Sequence, residues 1–385
     1  MLETAPVSLN SQNNRVLKEN RTYWVAGPAG VSSSPEHGIY QGDTRVLSRF
    51  GWEVSQQMTL LRVVPLRPDH IRFYMAVMRG PDQELAITRE VTVMDGAVRD
   101  EMMVTNHGRD RRSFELCFSG TADFSDLFVV RGFPGAPEGR LTRSEEENHL
   151  SFSYEAERFS AHLSVEAHGP TVPPTGTVIR AGSGGDLRAS SDEVRVPFVM
   201  DLAPGETQKA GVMLRSATWW TLGASARAGT VADTPSAMQP LPDNEEWMAS
   251  VPDTVRGRLD ADHRRVLDTA VADMRGLLIS TEDGPFPTAG IPWYVAVFGR
   301  DALITAHFLL PWRTDIATGV LRHLSRLQGR RVEQETEEEP GKIPHELRDG
   351  ELAAIGRIPH RPYFGTVDAT ALFVMLVADT KDTVL

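Results

Sequence analysis

The sequence predicts an antiparallel β-sandwich followed by a set of α-helices. Three observations predict it. Up to about residue 220, apolar residues alternate in short runs separated by turn sequences. A proline-bearing stretch without a clear period comes next. Beyond Arg256 the apolar residues recur at helical spacing. The 385 residues exceed one ordinary domain. With 41% hydrophobic and 24% charged residues, the chain can bury a sizeable core.

Ala86 to Thr105 reads as two strands joined at Asp95-Gly96, a strong hairpin signal. Asn106-His107-Gly108 starts another turn. Phe114, Leu116 and Phe118 alternate, as do Ala161, Leu163 and Val165, so each run has one buried face. Glu193 to Leu202 is the clearest strand, with Val194, Val196, Phe198, Met200 and Leu202 at every second position. Pro197 inside it points to a sheet edge, because proline cannot donate to a ladder. The turn Ala203-Pro204-Gly205-Glu206 then leads to a run from Thr207 to Ser216 at hairpin distance.

The helices follow a different rhythm. Thr230 to Pro252 holds Pro235, Pro240, Pro242 and Pro252 and reads as a linker or a surface strap. The expected division is a sandwich over 1–228, a linker over 229–255 and helices over 256–385. Leu259, Val266, Leu267, Ala270, Met274, Leu277 and Leu278 form one stripe. Asp301 to Trp312 is apolar nearly all round and should be buried on several sides. Ile316, Val320, Leu321, Leu324 and Leu327 make a second stripe, and Val367 to Ala378 is again apolar all round. A double ring, with exposed outer helices alternating with shielded inner ones, is one arrangement that explains this order. Four helices do not close such a ring. Either they cap the sandwich differently or the chain is the front part of a longer protein.

Composition excludes several function classes. A net charge of −12 has the wrong sign for a general nucleic-acid binder. No stretch approaches about 18 uninterrupted apolar residues, so no membrane span is expected. The first residues lack the features of an ordinary signal peptide. Cys117 is the only cysteine, so no intrachain disulfide can form. Together these point to a reducing, cytoplasmic setting. Cys117 lies in an alternating strand and reads as packing. Gly182-Ser183-Gly184-Gly185 is a poor phosphate cradle, with no helix after it and no Gly-Lys-Ser/Thr.

Two long loops carry the chemistry. One runs from Pro285 to Asp301; the other runs from Pro340 to Glu351 and from Ile358 to Asp368. Both mix aromatics, Arg and carboxylates, which suits a sugar: CH faces stack on rings and hydroxyls bond to charged groups. Asp301 opens a buried helix, where an acid also gains from the helix dipole. It reads either as a helix-start acid or as a carboxylate steadied by Arg300, with Trp293 nearby. Asp368 has the same ambiguity, with Thr366 as a possible N-cap. His345 and Glu346 are a loop pair with no helical role. A metal shared with His360 would lack a third well-spaced ligand. No metal and no cofactor are expected. The acidic run Glu333 to Glu339 reads as a solvated loop face.

At these loops the sequence resembles the bacterial glycogen debranching enzyme-like, or amylo-alpha-1,6-glucosidase, family. The resemblance is carried by Ala289–Pro311, Glu339–Arg348 and Tyr363–Thr370. In the first part of the chain it is carried by Gly42–Ser48 and Ala122–Gly132. It implies an N-terminal β-sandwich followed by the first part of an (α/α)6 toroid. It also implies hydrolysis of an α-glucan by an inverting carboxylate pair, with the two groups about 6.5–9.5 Å apart. By the same resemblance Arg300 and Asp301 hold the nonreducing-end sugar; Trp293 and Asp368 are further substrate-binding candidates. His345, Glu346 and Tyr363 shape the adjoining subsite. The general acid and base are then expected beyond residue 385; within the chain, Asp301, Glu346 and Asp368 are the fallback candidates. A non-catalytic carbohydrate-binding or interaction protein derived from the family is the alternative.

Overall fold

The computed structural model describes residues 14–79, 82–135, 139–146, 149–169, 192–220 and 238–384. The first thirteen residues, the Gly182–Gly185 run and the expected 228/229 boundary lie outside these. The chain divides into two units, Met1–Leu17 with Thr22–Thr218, and Lys18–Arg21 with Trp219–Leu385.

The β-rich part has strands β1 (Arg15–Glu19), β2 (Thr22–Ala26), β3 (Gly38–Gln41), β4 (Thr44–Val54), β5 (Met58–Arg67), β6 (His70–Arg79), β7 (Asp82–Met94) and β8 (Ala97–Asn106). After these come β9 (Arg112–Thr121), β10 (Ser125–Asp126), β11 (Arg140–Glu146), β12 (His149–Glu155), β13 (Phe159–His168), β14 (Glu193–Leu202) and β15 (Thr207–Trp220); the short helix α1 (Leu127–Val130) follows β10. One sheet has the order β1-β2-β3-β4-β9-β14, with β10 on β4. The other has the order β11-β12-β13-β15-β8-β7-β6-β5.

The local readings hold. Met94 lies opposite Ala97 across the Asp95-Gly96 turn, and Gly96 takes φ 69° as such a turn requires. Phe114, Leu116 and Phe118 are buried, as are Ala161, Leu163 and Val165. Pro197 is on the edge strand β14.

One reading fails. β14 and β15 do not form a hairpin, although only Ala203–Glu206 separates them. β14 pairs with β9 and β15 with β8, so the turn crosses from one sheet to the other. The β8–β9 connection makes the same crossing. Buried Asn106 holds both turns: its Nδ2 donates to Leu202 O at 3.0 Å and to Asp110 O at 2.8 Å. Its backbone N–H donates to Glu206 O at 3.0 Å and its carbonyl accepts from Gly205 N at 2.8 Å.

The sandwich core is not wholly apolar. Asp100 occupies an inward position on β8 between Val98 and Met102. Arg89 on β7 meets it in a two-bond fork, at 2.8 and 2.6 Å. Trp52, on β4 of the other sheet, donates its indole N–H to the same carboxylate at 3.0 Å. The guanidinium lies 5.5 Å from the Phe73 ring centre.

In the second unit the helices are α2 (Asn244–Ala249), α3 (Asp253–Arg256), α4 (Ala261–Gly276), α5 (Gly299–Leu309), α6 (Thr314–Arg326), α7 (Glu351–Ala354) and α8 (Ala369–Val384). Two short ladders accompany them, β16 (Leu278–Thr281) with β17 (Gly284–Pro287), and β18 (Val297–Phe298) with β19 (Glu346–Leu347). α5, α6 and α8 pack on one another. Within the stretch read as a linker, α2 carries fully buried Trp247, which donates to Val271 O at 2.7 Å.

The apolar stripes are less covered than their periodicity implies. On α4 only Val271, Arg275 and Gly276 are buried, and Val266 is 69% exposed. α4 packs chiefly on the short α2, which is too small to cover sixteen residues. α5 and α8, expected to be buried on several sides, leave Ile304, Phe308, Val374 and Met375 exposed, Phe308 at 78%. Among the described residues no helix is long and apolar enough to cross a membrane.

Lys18–Arg21 is integral to this unit. The buried Lys18 ammonium donates to the carbonyls of Gly276 and Leu278, both at 2.8 Å, and so caps the end of α4. Asn20 Oδ1 accepts from Ser280 N at 2.9 Å, and Glu19 pairs with Arg275 at 2.9 Å. Arg21 pairs with Asp349.

Replacing Arg89 by Met strands the Asp100 charge in the sandwich core. The expected cost is about 3–5 kcal/mol of unfolding free energy, read by urea titration. A cost under about 1 kcal/mol would show that the pair does not organise the core.

Candidate functional site

The site is assembled on the β18–β19 ladder. Phe298 pairs with Glu346 and Val297 with Leu347, while Tyr363 bridges to Glu346 from the other side. His345 O accepts the Gly299 N–H at 3.0 Å, and His345 N donates to Tyr363 O at 2.8 Å. Three segments far apart in sequence are thereby held side by side. A methyl group on Gly299 would collide with the Pro344 carbonyl oxygen, so only glycine lets α5 start here.

Two groups of side chains result. The first is open. Arg300 lies between two carboxylates, 3.8 Å from Asp301 and 3.6 Å from Asp368. The three are 45%, 36% and 37% exposed, so their polar atoms still face solvent. Thr366 Oγ1 donates to Asp368 at 2.6 Å. That bond, reinforced by Arg300, holds the Asp368 carboxyl below its usual value. Asp368 is therefore an ionised acceptor at neutral pH and a poor proton donor.

The second group is buried. Arg348, 1% exposed, pairs with Glu346 and donates to Trp293 O at 2.9 Å. Its guanidinium lies 5.2 Å from the Phe298 ring centre. Glu346 also meets His360 at 3.5 Å. Burial holds the His360 imidazole below its usual pKa, against the opposing pull of Glu346. The His345 ring stands edge-on between Phe298 and Tyr363, at 5.8 and 6.4 Å. Tyr363 donates to Glu337 at 2.7 Å, and that bond raises its pKa.

Of the sequence candidates, Arg300, Asp301 and Asp368 are joined by ion pairs. Trp293 and Glu346 meet through Arg348. His345 and Tyr363 line one another. The two groups are joined through the ladder. Glu346 is engaged and buried, so its geometry suits support better than proton transfer. Sequence reasoning singled out neither Arg348 nor Glu337. Glu337 lies in the acidic run, and the spacing carries no sign that one member of that run reaches Tyr363. Among the described residues no group of three or more His, Cys, Asp or Glu is placed to hold a metal ion.

The family model for the N-terminal domain of (some) glycogen debranching enzymes matches residues 17–213, about half of the chain. The chain belongs to that family. Its first part is thus that of a carbohydrate-active enzyme family. No curated protein matches the chain. A solved structure described as "Putative kojibiose phosphorylase from human microbiome" is similar over 94% of this chain, with a TM-score of 0.52 and 7% identity. The likeness is one of fold, a sandwich followed by a helical toroid. This chain spans 53% of the length of that protein. A galactose mutarotase related enzyme from Lactobacillus acidophilus is similar at 9% identity and a TM-score of 0.28, over 53% of this chain and 97% of its own. That likeness is too distant to carry an argument.

Two outcomes follow from the geometry. Thr366→Val removes the main support of the Asp368 anion, so the Asp368 carboxyl should titrate at higher pH than in the wild type, closer to an ordinary Asp. Carbon-detected NMR titration reads this; an unmoved midpoint would mean that the Thr366 bond does not form. The depressed value stabilises the fold above the ordinary Asp pKa, and that stability is lost as pH falls through the folded value. Gly299→Ala should cost about 1–3 kcal/mol, because the start of α5 must move off Pro344. A thermal melt checks it.

Proposed function

We propose that this chain supplies the sandwich and the sugar-holding part of a debranching-type glycoside hydrolase. The substrate is an α-glucan, and the bond is cleaved by an acid–base carboxylate pair. One observation carries the reading: a guanidinium set between two half-open carboxylates, next to an aromatic-lined ladder, in a chain of this family.

The roles follow from the chemistry. Arg300 donates, and Asp301 and Asp368 accept, so together they can bond adjacent sugar hydroxyls in a fixed pattern. His345, Glu346 and Tyr363 shape the adjoining subsite. The reading places the general acid and base outside this chain. A general acid must hold its proton near neutral pH, and Asp368 is held ionised.

The test is glucose release from a branched maltodextrin, by this chain and by the chain extended through its natural downstream sequence. Release only by the extended form is expected. Release by the 385 residues alone would make Asp301, Glu346 and Asp368 the acid and base candidates. Binding of maltodextrin without turnover in either form would favour a non-catalytic carbohydrate-binding role. In the extended protein, Asp301→Asn should lower turnover by about 10²-fold or more with the fold intact. Near-native turnover would sink its assignment.

A further inference from the structure

We propose that Arg348 is a positioning residue, a single buried cation that sets the attitude of the Arg300–Asp301 pair toward a saccharide. The effect on saccharide binding rests on the reading above; the positioning itself rests on geometry alone. Arg348 ties its own segment to two others, the Trp293–Phe298 loop and the stretch at His360. Its guanidinium pairs with Glu346, donates to Trp293 O at 2.9 Å and lies over Phe298 at 5.2 Å. Its backbone N–H donates to His360 O at 2.9 Å. Phe298 directly precedes Gly299, Arg300 and Asp301 in the chain. The ring under the guanidinium therefore fixes where α5 begins and where its first two charged side chains project.

Arg suits this position in a way that Lys does not. A planar fork can bond a carboxylate and a carbonyl while its face rests on a ring. A Lys ammonium keeps the charge but not the face or the fork. Arg348 itself is too buried to meet a sugar.

Two variants test this in the full chain. Arg348→Lys keeps the charge and should fold, with an unchanged far-ultraviolet circular dichroism spectrum. Its Kd for maltotriose, measured by titration calorimetry, should be at least about tenfold weaker than wild type. Arg348→Met removes a cation that holds the His360 imidazole down, so the NMR titration midpoint of His360 should rise; in Arg348→Lys it should stay near wild type. Wild-type maltotriose affinity in Arg348→Lys would overturn the proposal. A wild type that gives no heat with maltotriose would sink the saccharide reading instead. Positioning is then decided by the Trp293 indole and Arg300 Nε resonances in Arg348→Lys. Movement of both supports it, and unmoved resonances overturn it.

Discussion

The site depends on a ladder of two residue pairs. Val297–Phe298 and Glu346–Leu347 are nearly fifty residues apart in sequence, and closing such a loop costs entropy that two strand residues alone do not repay. What repays it is concentrated around the ladder: the Gly299–His345 bond, the Tyr363 bridge and the Arg348 fork behind them. The loops leaving this junction can be long and polar because their ends are fixed. The start of α5 and the approach to α8 inherit their positions from it.

Two arginines near the ladder show how burial assigns a role. Arg300 stands in solvent between two carboxylates at 3.6–3.8 Å, where such pairs contribute little to stability and stay exchangeable. A ligand hydroxyl can replace such a partner at small cost. Arg348 is sealed, and every interaction it gives up would leave a buried charge or carbonyl unpaired. The first is arranged for encounter and the second for permanence. In the sandwich, Arg89 and Asp100 repeat the second pattern, with Trp52 of the facing sheet tying the two layers to one carboxylate.

Much of the fold was legible because it is local. Alternation over ten residues settles which side of β9, β13 or β14 faces inward, and Asp95-Gly96 dictates its own turn. The β14–β15 connection was not legible, since Ala203–Glu206 is good turn chemistry whether the next strand pairs or crosses. What decides it is Asn106, about a hundred residues earlier in the chain. Periodicity likewise predicted the α4 helix but could not say how much of its stripe finds a partner. For the site, the loop residues were legible as a group. Arg348 was not, because an arginine in a charged loop reads as surface until its carboxylate, ring and carbonyl are seen around it.

Lys18–Arg21 has a consequence for how this architecture can be inherited. Four residues from near the beginning of the chain complete the helical unit, with the Lys18 ammonium ending α4 and Asn20 bonding Ser280. The two units are therefore not consecutive cassettes. A gene fusion or recombination event joining these helices to a foreign N-terminal module would leave the Gly276 and Leu278 carbonyls without their cation. Evolution can exchange the decoration on either unit, but it has to carry the two through descent together.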